Sequence, residues 1–138
     1  MAAPGRLTSF VGRVLVTLIF LVVGYNKLTH FAATAAILAS LKIPFPRFAT
    51  VVAILIELVG GISVLVGFKT RFWAWIMFLY LIPVTFLIHS FWKMAGAERA
   101  DIMIHFLKNL SILGALLLLA AYGPGPLSVD GSGARPKE

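Results

Sequence analysis

The sequence contains no cysteine, which excludes disulfides, thiolate metal sites and a self-contained CxxC redox relay. Any electron chemistry in such a chain requires a bound cofactor or a partner protein. Charge is scarce as well: charged residues make up 12% of the 138, against about 25% in soluble domains. With 60% hydrophobic residues and a mean hydropathy of +0.98, the chain reads as a single integral membrane domain with no room for a soluble enzyme module. The formal charge of +7 would point to nucleic acid in a soluble protein. Here it reads as Lys and Arg at helix ends, where they snorkel and set topology, and no nucleic-acid role follows. There is no nucleophile elbow, phosphate loop or nucleotide fingerprint, and no carboxylate–histidine spacing of a metal site.

What the chain has is long apolar runs. Phe48–Phe68, FATVVAILIELVGGISVLVGF, carries one ionisable side chain, Glu57, near its centre. About 20 apolar residues cross a hydrocarbon core of ~30 Å, so this run fits a span and places Glu57 near the midplane. An unpaired charge there costs at least ~2.5–3.5 kcal/mol, so Glu57 must be protonated, paired or open to water. Three more spans are expected at Leu7–Leu28, Phe72–Phe91 and Ile102–Tyr122, with Pro83 as a kink in the third. Asn26, Lys27 and His30 separate the first apolar run from any cleavage site, which disfavours a signal peptide. Phe31–Leu41 is helical in composition but too short to span, and is expected to lie in the interface before Ile43-Pro44-Phe45-Pro46 ends it. Lys93–Asp101 is expected as a polar loop. The fold class is therefore all-α: a membrane four-helix bundle with a short interfacial helix between the first two spans. Residues 1–126 form the membrane domain and 127–138 a polar tail expected to be disordered.

Four spans put both termini on one side. Arg6, Arg13, Lys69, Arg71, Arg135 and Lys137 lie on that side, with Arg13 expected to snorkel outward. Lys27, Lys42, Arg47, Lys93 and Arg99 lie on the other. The short basic turn at 69–71 weighs most, which places the termini in the cytoplasm.

The polar residues gather towards the opposite side. Glu57 lies about 13 Å below Phe48 and Lys108 about 9 Å below Ile102, at 1.5 Å per residue. His105, Lys108 and Asn109 are spaced i, i+3, i+4 on one helix face. Lys27 and Asn26 approach from the first span and His89 from the third. A Glu57–Lys108 pair is the first candidate for neutralising the buried carboxylate, and its simplest role is to fix helix register. Gly60, Gly61 and Gly114 are expected to let the helices close beneath this cluster. For His89 and His105 three readings stand in order: interfacial hydrogen bonding, hydrogen bonding to a quinone or other carbonyl ligand, and bis-histidine haem ligation. The last is weakest, because Phe91 and Trp92 leave little room for a haem. The aromatic clusters at 72–78 and 91–92 are most simply interface belts.

Taken in order, Gly24-x-x-Lys27-Leu28-x-x-Phe31, Glu57-Leu58-x-Gly60-Gly61, Thr70-Arg71, His89-x-Phe91-Trp92 and His105-Phe106-Leu107-Lys108-Asn109-Leu110 resemble the DoxX family of small four-helix membrane proteins. The resemblance runs from Gly12 to Leu127-Ser128. It implies a multi-pass protein of the bacterial inner membrane. Some members are subunits of a thiosulfate:quinone oxidoreductase, others are tied to membrane oxidative-stress complexes, and a divergent animal branch assists receptor assembly. The resemblance thus implies a subunit or accessory of a redox system, with redox-complex proteins or a second copy as partners in the bilayer. Its polar pocket of Lys27, Glu57, His89, His105, Lys108 and Asn109 would hold a quinone-like or anionic group. The alternative is a non-enzymatic assembly or scaffold protein whose polar network is structural; a small-solute carrier ranks third.

Overall fold

The structure, a computed structural model, describes residues 3–131. The elements are α1 (Ala3–Thr29), α2 (Phe31–Ser40), α3 (Pro46–Val66), α4 (Thr70–Ile88), a short 3-10 turn at Phe91–Lys93, and α5 (Gly96–Tyr122). No strand occurs among the described residues. Four helices are long and apolar enough to cross a membrane: α1, α3, α5, and α4 with the turn that follows it. The expected spans are therefore present, with α2 as the short apolar helix between the first two.

One boundary differs clearly from expectation. α5 begins at Gly96 rather than Ile102, absorbing most of the expected loop. Ala97-Glu98-Arg99-Ala100 are good helix formers, and Glu98 sits in the first turn, where the helix dipole favours an acid. α4 runs on through Pro83 as one helix.

Each spanning helix packs on its neighbour in the sequence, α1 on α3, α3 on α4 and α4 on α5, while α2 lies against the first half of α3. The backbones of α1 and α5, the two ends of this series, come close at few points. The bundle thus has a seam between its first and last helices. Phe20, Val64, Met77, Leu81, Leu113 and Leu116 form the core. Leu15, Leu55, Leu79 and Leu118 point outward as a lipid-facing surface would require.

The end bearing the termini is closed by two capping contacts from far along the chain. Arg13, expected to snorkel, is instead buried at 1% exposure. Its Nη1 donates to the Leu65 carbonyl at 2.7 Å and its Nη2 to the Leu127 carbonyl at 2.6 Å. A cation on the open carbonyls at the end of α3 satisfies orphan acceptors and complements the dipole. Asp130 does the reverse for α4, accepting from the Lys69 and Thr70 amides at 2.9 Å each. Burial alone would raise its carboxyl, but those two amides and the Arg13 guanidinium outweigh it and hold it below the usual carboxylate range. Val129 and Asp130 also donate their amides to the Val66 and Gly67 carbonyls.

Residues 127–131, expected to be part of a disordered tail, are therefore an ordered strap, because they supply caps that α3 and α4 lack locally. Residues 132–138 lie outside the described residues. Gly67 makes the strap fit: its φ is +75° and an added Cβ would stand 2.2 Å from the Ser128 Cβ.

Candidate functional site

Glu57 is 4% exposed and sits in the one irregular stretch of α3, a π-helical turn over Ile56–Gly60. Such wide turns displace a side chain from the regular helical register and recur at functional sites. Lys27 of α1 forms an ion pair with Glu57 Oε1, and the Tyr80 hydroxyl of α4 donates to the same oxygen at 2.6 Å. One carboxylate oxygen therefore ties three spanning helices together. α1 comes close enough because of Gly24, where an added Cβ would meet Glu57 Cβ and Leu58 at 3.0 Å.

The expected Glu57–Lys108 pair does not form; Lys108 is exposed. Side-chain direction explains the choice of Lys27. Helical side chains lean towards the N-terminus of their own helix. α1 runs away from the terminus end, so Lys27 leans back towards the midplane. α3 runs the other way, so Glu57 leans out to meet it. α5 runs parallel to α3, so Lys108 leans towards the far surface and away from Glu57.

The other expected residues still share a neighbourhood. The His89 and His105 rings stack at 5.5 Å between centroids and 24° between planes. Lys27, Lys108 and His105 all lie near enough to His89 to act on it electrostatically. His89 is half-buried, His105 exposed and Asn109 buried. Imidazole lone pairs lie in the ring plane, so stacked rings direct their nitrogens alongside one another rather than at a shared iron, which does not fit bis-histidine haem. Among the described residues no group of three His, Cys, Asp or Glu gathers as a metal site. Phe86, Phe91, Trp92 and Phe106, neighbours of the two histidines in sequence, pack edge-on or tilted against one another.

Two buried atoms in this cluster lack a partner, Glu57 Oε2 and His89 Nδ1. Lys27 pairs with the other carboxylate oxygen of Glu57 and acts electrostatically on His89. Two open clefts lie elsewhere, with volumes of about 400 and 610 Å3 at the terminus end, beside Arg13 and beside Leu127. Lys27 lies on α1 and Lys108 on α5, the two helices that flank the seam.

Tyr80 is the site residue that charge-based reading of the sequence misses. It had a signal: it falls three residues after buried Met77, on the face that α4 turns towards α3. Of the small residues, Gly60 and Gly61 are at close helix contacts as expected, whereas Gly114 faces open space.

The DoxX family model matches residues 8–90, from the start of α1 past Tyr80 and His89. The chain belongs to the DoxX family. Among curated proteins, this DoxX chain is 38% identical over 120 residues to the Escherichia coli inner membrane protein YphA, covering 87% of this chain and 86% of that one. It is 36% identical over 120 residues to the E. coli inner membrane protein YqjF, covering 87% of each. It is also 29% identical over 121 residues to the ER-derived vesicles protein ERV29 of Saccharomyces cerevisiae, covering 88% of this chain but 32% of that protein. No solved structure matches. With its four spanning helices, this DoxX protein is a multi-pass inner-membrane protein, like its E. coli relatives.

Proposed function

We propose that the cluster of Lys27, Glu57, Tyr80, His89, His105 and Lys108, with Asn109 beneath it, receives the head group of a quinone-like or anionic ligand. On this reading the protein serves a membrane redox system as a subunit or accessory. The observation that carries it is the pair of buried, unpartnered atoms, Glu57 Oε2 and His89 Nδ1, at the same end of the bundle. A buried polar atom without a partner costs about 1–3 kcal/mol, and a hydroxyl-bearing head group would relieve both. Its O–H would donate to the carboxylate oxygen, and the imidazole nitrogen would complete the contact. The lysines and histidines would hold the carbonyl of an oxidised ring, or an oxyanion, equally well. Entry would be lateral, from the bilayer through the α1–α5 seam.

The test is thermal shift in detergent with a panel of quinones, quinols and small oxyanions, on the wild type and on His105→Phe. Phe keeps the ring stacked on His89 and removes the nitrogens. The wild type should be stabilised by at least one ligand, and His105→Phe should lose that shift while melting at nearly the same temperature unliganded. No wild-type shift from any of the panel overturns the ligand reading.

A second reading, an assembly or scaffold protein with a structural polar network, is favoured by a different observation. Glu57 Oε1 already has two partners from two other helices, which suffices to fix register. Under that reading His105→Phe should itself lower the unliganded melting temperature.

A further inference from the structure

The terminus end of the α1–α5 seam holds a cavity of about 400 Å3 that plays no part in the Glu57 cluster. Its walls are apolar and small: Gly12 and Val16 from α1, Ala115, Leu118 and Leu119 from α5, with Tyr122 at the rim. Its floor is Arg13, whose two terminal nitrogens are committed to carbonyls while Nε is buried without an acceptor. Its rim is basic. Arg71 lies against Gly123, its Nε 3.3 Å from where a Cβ would project. Arg6 precedes Ser9 by three residues on α1 and so falls on the same helix face, one turn nearer the surface. Among the described residues Lys27–Glu57 is the only ion pair, so neither arginine has a described counter-ion.

We propose that this cleft is a binding site for one anionic glycerophospholipid. Its phosphate is held by Arg71 and Arg6 above the Arg13 floor, and an acyl chain lies along Val16, Ala115 and Leu119. Three features distinguish this from ordinary lipid contact. The volume falls in the range of specific small-molecule sites. The charge is concentrated at one end, where a headgroup sits, and the opposite end is hydrocarbon-like. Basic pockets between membrane helices are a recurrent form of anionic-lipid recognition. A small anion would use only the rim and leave the apolar groove unfilled, so a lipid is the better occupant.

The experiment is native mass spectrometry of the full chain released from detergent after titration with phosphatidylglycerol, phosphatidylcholine or inorganic phosphate. Gly12→Leu and Arg71→Gln are compared with the wild type. An added Cβ at Gly12 meets nothing within 4 Å, so leucine there fills the groove without disturbing the helices; Arg71 is exposed. The wild type should retain one phosphatidylglycerol and neither of the other two probes. Arg71→Gln should weaken that binding by about fivefold, the equivalent of roughly 1 kcal/mol per basic side chain near a membrane surface, and Gly12→Leu should abolish it. Equal retention of phosphatidylcholine would mean a non-selective annulus. Retention of phosphate alone would mean an anion site without a lipid. Undiminished binding to Gly12→Leu would put the lipid elsewhere. Each of these results overturns the proposal.

Discussion

Replacing Lys27 with methionine leaves the Glu57 carboxylate, 4% exposed, with Tyr80 as its remaining donor. Removing one partner of a buried pair costs about 3–5 kcal/mol. The Lys27 side chain is 20% exposed, so the lower end, about 3 kcal/mol, is expected. Glu57→Gln should cost less, roughly 1–2 kcal/mol, because the released lysine can extend its stem to the far interface. The double variant has neither charge and keeps the packing, so its loss should be about 1–2 kcal/mol, since replacing both members of a buried pair is often nearly neutral. The singles then sum to well above the double, with a coupling energy of about 3 kcal/mol, the top of the range for residues in contact. Lys108→Met should cost little and couple to Glu57→Gln by less than about 0.5 kcal/mol, as expected for residues that share no contact. Unfolding by increasing SDS fraction in mixed micelles, followed by the fluorescence of Trp73, Trp75 and Trp92, gives all the energies on one scale. Additivity of Lys27→Met with Glu57→Gln would refute the pairing, as would a Lys108 coupling of equal size.

Tyr80→Phe removes the second donor to Glu57 and should cost about 1.5–3 kcal/mol in the same titration, the scale of a hydrogen bond to a charged group. The Asp130 carboxyl is held below its ordinary value of 3.8 in the folded protein. Its contribution is therefore complete above that value and is lost as pH falls through the lower folded one. Melting temperatures of wild type and Asp130→Asn should accordingly differ at neutral pH and converge at the acid end. Gly67→Ala forces a side chain into a φ of +75° and against Ser128. It should destabilise by more than about 1 kcal/mol and expose residues 127–131 to protease, read as new cleavage products by mass spectrometry.

The membrane spans were legible because an apolar run about 20 residues long has few other uses. Glu57 was legible because a lone carboxylate inside such a run demands an explanation. Its partner was not. Depth alone admitted both Lys27 and Lys108, and the choice depends on the lean of side chains along antiparallel helices. Tyr80 was hidden by its company, one phenol in a helix rich in Trp and Phe, whose neutral hydroxyl announces nothing until an acceptor faces it. Arg13 and Asp130 were misread for a different reason. Their partners lie 52, 114, 61 and 60 residues away in sequence. Near a helix end a local reading of Arg is snorkelling and of a polar Gly-rich tail is disorder. Only the packed bundle shows that open helix ends at 65 and 70 recruit both.

The central claim, that the seam between α1 and α5 admits a head group to the Glu57 cluster, is tested most directly by photolabelling the wild-type protein with a photoreactive quinone analogue, followed by peptide mapping. The account predicts labelled peptides from α1 around Lys27 and from α5 around His105–Lys108, suppressed by excess unlabelled quinol. Label confined to other helices, or undiminished by the competitor, would contradict it.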